Sequence, residues 1–157
     1  MCYKTIANAT KGFHIRWGTG IFPRYRDVSG PYVSIKRINQ AKHIVAHILS
    51  EEEIRIVRAF QTFARKKYYN KHIKVDVDIQ AAKDMINNTV LHTRDNDLYG
   101  ESDGEQIWIS KIKMSGEILV GTMLHESLHN IATFNGKDIC ERDEHAIMIM
   151  LGEVLDY

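Results

Sequence analysis

Two histidines four residues apart with a glutamate beside the first, His125-Glu126-Ser127-Leu128-His129, are the residues of this chain best suited to chemistry. On a helix, a four-residue step places both imidazoles on one face, one turn apart. Two neutral imidazoles so placed can share a divalent ion. Zinc suits them because it accepts nitrogen ligands and makes little geometric demand of its own. Glu126 is then placed to reach a water on the metal rather than the metal itself. The metal lowers that water's pKa toward neutrality, and the glutamate takes the proton as the nucleophile forms. The chemistry such a set supports best is metal-assisted hydrolysis, with a peptide bond as the leading substrate.

A catalytic zinc site needs three protein ligands and one open position. Two come from the motif, and the third is expected from the last helix, which opens Glu141-Arg142-Asp143-Glu144-His145. Ile147, Leu151 and Val154 form an inward stripe, and stepping back three from Ile147 lands on Glu144. A carboxylate turned inward is costly without a partner, and a metal ion is a suitable one. Helix phase therefore ranks Glu144 first and His145 second, with Glu141 and Asp143 after. An acidic first turn also has a purely structural explanation, because acidic side chains favourably meet the helix dipole there. For the motif itself the competing reading is an ordinary amphipathic helix carrying two surface histidines.

The elements that must position these groups can be traced from their patterns. The motif is expected on a helix over about Gly116–Thr133, since Ile118, Leu119, Val120, Met123 and Leu124 lead into it without proline. A second helix is expected over about Glu141–Asp156, with Asn135-Gly136 as the turn between the two. Upstream, Ser50 and Glu53 have capping-box spacing, with Ile54, Val57, Phe60 (or Gln61) and Ala64 recurring behind them, so a helix is expected from Ser50 to about Tyr69. Ile73–Ile79 alternates apolar and polar as a half-buried strand does. Ala81–Asn87 suits a short helix. Leu98-Tyr99-Gly100 and Gln106–Ser110 suit two strands, with Gly104 in the turn between them. In the first forty residues, Phe13/Ile15/Trp17 and Tyr32–Ile35 are candidate short strands among glycines and prolines.

From Leu98 to Leu155 the chain resembles a small zincin metallopeptidase of the SprT-like family or a minimal phage- or virus-type relative. The resemblance rests on Tyr99-Gly100, the strand Gln106-Ile107-Trp108-Ile109-Ser110, the segment Thr122-Met123-Leu124-His125-Glu126-Ser127-Leu128-His129, and the helix that follows. It implies an α+β fold in which a mixed sheet packs on the motif helix, with a further C-terminal helix. It also implies an edge strand, here Gln106–Ser110, that pairs with an extended substrate. In the SprT-like pattern the third ligand is a histidine at the start of the next helix, followed by glycine. His145 stands at about that distance, but Ala146 replaces the glycine. The smaller relatives use an acidic residue, which Asp143-Glu144 resembles.

Composition sets the surroundings. With 157 residues, 44% of them hydrophobic and 26% charged, the chain fits one domain. Residues 1–48 are read as an N-terminal extension and 49–157 as the zincin-like core. A net charge of +1 gives no bulk pull toward nucleic acid or membrane. Two cysteines suit a reducing compartment, and no apolar run reads as a signal peptide or a bilayer span, so a cytoplasmic protein is expected. Cys140, near the proposed site, is read as a buried cysteine rather than as a latency ligand. Arg65-Lys66-Lys67 with Lys71 and Lys74, beside Phe63, Tyr68 and Tyr69, and Trp17 and Phe22 among Arg16, Arg24 and Arg26, are basic-aromatic groups of the kind that bind nucleic acid. Local structure is the favoured explanation for both. His43 and His47 share the four-residue step but have no glutamate between them. The expected function is a zinc peptidase acting on protein or peptide. The alternatives are a zinc-holding interaction module without turnover and a non-proteolytic zinc hydrolase. Glu126 favours catalysis, because holding zinc does not require it.

Overall fold

The computed structural model describes residues 7–10, 30–92 and 99–155, with side chains described over 30–92 and 99–151. The expected strand at Phe13–Trp17 and the arginine cluster around Trp17 and Phe22 lie outside these residues. The fold is α+β, with five helices and two small sheets among the described residues.

The first helix, α1 (Ile35–Glu51), starts where extended Ser34 accepts the amide of Arg37 on its hydroxyl. Its stripe of Ile38, Ala41, Val45, Ile48 and Leu49 is buried. This helix replaces the strand expected at Tyr32–Ile35, of which a single bridge from Tyr32 to Lys113 is formed. It also runs through Ser50, so the Ser50/Glu53 capping box is not made. Glu52 alone separates α1 from α2 (Glu53–Tyr68), without a side-chain cap. The inward face of α2 is Ile56, Ala59, Phe60 and Ala64, while Ile54 is 67% exposed. The inward face is thus rotated by part of a turn from the one expected through Ile54.

The alternating segment after α2 forms a strand only over β2 (Val75–Val77). Asp78 stops it by accepting the Ala81 amide at 3.0 Å, which starts α3 (Ile79–Asn87). Next in the chain comes β3 (Thr89–His92), followed by β4 (Gly100–Ser102) and β5 (Ile107–Ser110). With β1 (Ala7–Thr10) these form a sheet in the order β1-β4-β5-β3, parallel between β3 and β5 and antiparallel elsewhere. The mixed sheet is as expected. The edge role given to Gln106–Ser110 is not: β5 is paired on both sides, so its backbone has no open edge for a substrate strand.

Helix α4 (Gly116–Ser127) carries the motif and is capped by Ser115, whose hydroxyl accepts the Ile118 amide. It packs against α1, α3, β1, β4 and β5. Every residue from Gly121 to His129 is buried, as befits a helix enclosed on all sides. The chain then enters β6 (Ala132–Phe134) and β7 (Lys137–Asp138), which pair with β2 in a second, antiparallel sheet. Asn135 and Gly136 both have positive φ, 49° and 76°, as a two-residue hairpin turn requires. The turn is where the sequence placed it, but it joins two strands rather than two helices. The final helix, α5 (Glu141–Leu155), packs on α2.

The boundary drawn at residue 48 falls inside α1. Ile38, Ala41 and Val45 lie in the same core cluster as Leu124 and Ile147. The segment 33–48 therefore belongs to the core rather than to an extension. No helix among the described residues is long and apolar enough to cross a membrane.

Candidate metal centre

The motif helix ends earlier than its pattern implied, and the ending shapes the site. The Leu128 amide lies 3.2 Å from the carbonyls of both Leu124 and His125, a tightened last turn. Asn130 is left-handed, with φ of 64°, and the chain departs toward β6. His129 thus sits just past the last helical residue but within the same closing turn. Both motif histidines are essentially inaccessible, at 1% and 0% exposure, which removes the reading of two surface histidines.

His125, His129 and His145 converge. Their ligand nitrogens all lie within 4.8 Å of one another, close enough to bind a metal ion. The ring centroids form a nearly equilateral triangle: 5.0 Å from His125 to His129, 5.2 Å from His125 to His145 and 5.0 Å from His129 to His145. Nε2 of His125 and Nε2 of His129 are 3.2 Å apart. These two rings come from one helix end, and the third comes from the second turn of α5.

Glu144, ranked first for the metal by helix phase, is not in this cluster. The phase argument placed it correctly in the interior, where it is 3% exposed. Its partners differ from those expected. Oε1 lies 3.2 Å from Nδ1 of His129, and Oε2 accepts the Asn130 amide at 2.7 Å. The carboxylate thus stands behind the His129 ring and caps the chain where α4 ends. A carboxylate beside Nδ1 selects the tautomer that carries its proton there, which leaves the Nε2 lone pair facing His125. His145, ranked second, is the residue that closes the cluster. Of the remaining acidic candidates, Glu141 lies 3.8 Å from Nε2 of His145, and Asp143 forms an ion pair with Lys67.

Glu126 is fully buried, with Oε2 4.0 Å from Nε2 of His125. Ser102 on β4 donates toward Oε1 at 3.2 Å and lies 3.1 Å from the Glu126 backbone carbonyl. Sequence reasoning did not single out Ser102. Only its position on a strand packed against α4, two residues after Tyr99-Gly100, reveals it.

Other candidates fall away from the site. His43 and His47 are exposed on α1. Lys67 is committed to Asp143, and Lys74 lies 3.7 Å from Asp76. Part of this basic group is therefore accounted for by ion pairs, that of Lys67 reaching across to α5. Cys140 is buried and disulfide-bonded, so it offers no free thiolate to a metal.

The chain matches no family model, no curated protein and no solved structure.

Proposed function

We propose that the chain is a zinc-dependent peptidase in which His125, His129 and His145 hold the metal and Glu126 is the general base. The observation that carries this reading is the three-imidazole triangle, with His125 and His129 buried and His145 partly buried, and a carboxylate at its side. The donor set fits zinc. Two nitrogens bound to one tetrahedral zinc at about 2.0–2.1 Å stand roughly 3.3 Å apart, and the two motif Nε2 atoms stand 3.2 Å apart. Three histidines leave one position open, which is the requirement for catalysis rather than for structure. Zinc bound there would supply Lewis acidity and acidify water beside it.

The chain's own residues supply the rest. Glu144 fixes the His129 ring from behind, as a carboxylate commonly does for a metal-ligating histidine. Glu126, held on Oε1 by Ser102, keeps Oε2 on the side of the histidines, where it can take a proton from attacking water and return it to the leaving amine. A third histidine at the start of the last helix agrees with the SprT-like pattern, and the mixed sheet against the motif helix is in keeping with a small zincin.

Elemental analysis of purified protein, together with a cleavage assay on unfolded protein, tests the proposal. About one zinc per chain and zinc-dependent cleavage are expected. A chain that takes up no zinc, or that takes it up and cleaves nothing across a broad panel, overturns the peptidase reading. The second result turns attention to a zinc-holding interaction module.

A further inference from the structure

The way β4 lies on α4 matches two unequal repeats. Two residues along a strand advance about 6.6 Å, and four residues along a helix advance about 6.0 Å. Gly100 and Ser102 are two apart on β4, and Thr122 and Glu126 are four apart on α4. The first of each pair meets the first of the other: a Cβ on Gly100 would lie 2.8 Å from Cγ2 of Thr122. The second members meet as well, through the Ser102 hydroxyl and the Glu126 carboxylate. That close approach exists because Gly100 has no side chain. The space a Cβ would need is also bounded by the Trp108 carbonyl at 3.1 Å and Cδ1 of Ile109 at 3.2 Å.

We infer that Ser102 is the positioning residue for Glu126, and that Gly100 over Thr122 sets the strand-to-helix distance at which it works. This inference rests on Glu126 being the base. The Ser102 hydroxyl has one proton and two acceptors in reach, the Glu126 backbone carbonyl and its carboxylate. The carboxylate is charged and is the stronger acceptor. Anchored there through Oε1, it keeps Oε2 4.0 Å from Nε2 of His125. Removing the Ser102 hydroxyl would take away one restraint on a carboxylate that stands 4.0 Å from His125, and a shift of Glu126 toward a bound metal would cost it its place as a base.

Ser102→Ala in the full-length chain tests this with little disturbance, since it removes one oxygen. The zinc content should hold and KM should stay within about twofold. A displacement of catalytic groups by about 1 Å can cost a hundredfold, so kcat should fall by roughly ten- to a hundredfold. Cobalt substitution supplies a readout independent of turnover. The visible spectrum of cobalt-loaded Ser102→Ala should differ from that of the wild type, and adding Glu126→Gln should remove the difference. Gly100→Ala should lower kcat in the same way, and adding Thr122→Ser, which deletes the opposing methyl, should recover part of the loss. An unchanged kcat together with an unchanged cobalt spectrum in Ser102→Ala overturns the inference. If the cobalt spectrum shifts as expected while no variant, nor the wild type, cleaves any substrate, the positioning role stands and the peptidase reading is lost.

Discussion

Nδ1 of His129 and Oε1 of Glu144 lie 3.2 Å apart, both buried, on opposite sides of the β6–β7 hairpin in the chain. Oε2 of the same carboxylate accepts the Asn130 amide, so one side chain both orients a histidine and ends a helix. The pair ties the end of α4 to the first turn of α5, and that tie brings His145 to the other two histidines.

It follows that Glu144 and His145 should respond differently to removal. His145→Ala takes a nitrogen out of the cluster and should abolish stoichiometric zinc. Glu144→Ala should leave stoichiometric zinc but weaken its affinity by about 10–100-fold, the usual cost of losing a partner behind a ligand. Competitive titration with a chromophoric chelator measures both. Loss of zinc in Glu144→Ala with retention in His145→Ala would restore the carboxylate to the metal.

Glu126→Gln keeps the side chain's size and its Ser102 partner but cannot take a proton. Zinc content and thermal midpoint should match the wild type, while kcat should drop on the order of a hundredfold or more. Wild-type rates in this variant would point to a contaminating protease or to another base.

Metal binding should also be visible as stability. A ligand that binds only the folded state adds about 2.7 kcal/mol when present at a hundred times its dissociation constant. Chelation should therefore lower the unfolding midpoint, and added zinc should restore it. The His125→Ala/His129→Ala variant should show no such response, and a zinc-dependent midpoint in that variant would place the metal elsewhere.

Lys67 and Asp143 join the end of α2 to the first turn of α5, with side chains 31% and 8% exposed. Lys67→Met leaves the Asp143 charge largely buried without its ion-pair partner. Breaking a fully buried pair costs about 3–5 kcal/mol. With a third of Lys67 in solvent, a loss of about 1–2 kcal/mol is expected after allowing for screening. Urea unfolding measures it, and an unchanged midpoint at constant slope would show that water replaces the lysine at no cost.

Local pattern made much of this protein legible. The His125/His129 step, the apolar run into it, the α5 stripe through Ile147 and Leu151, and the Asn135-Gly136 turn could all be read from the chain, because each depends on residues within a few positions of one another. Even the burial of Glu144 followed from helix phase. What phase could not supply was the partner. An inward carboxylate is satisfied equally by a metal, an imidazole N–H or a free amide, and only the path of the chain after α4 decides among them. A left-handed Asn130 and a hairpin where a longer helix was expected turn His129 so that its Nδ1 faces Glu144 and its Nε2 faces His125. The place of β5 inside the sheet and the reach of Ser102 to Glu126 were hidden for the same reason. The β3–β5 pairing joins Thr89 to Ile107 and the other contact joins Ser102 to Glu126, and both are set by how the elements pack and not by any local periodicity.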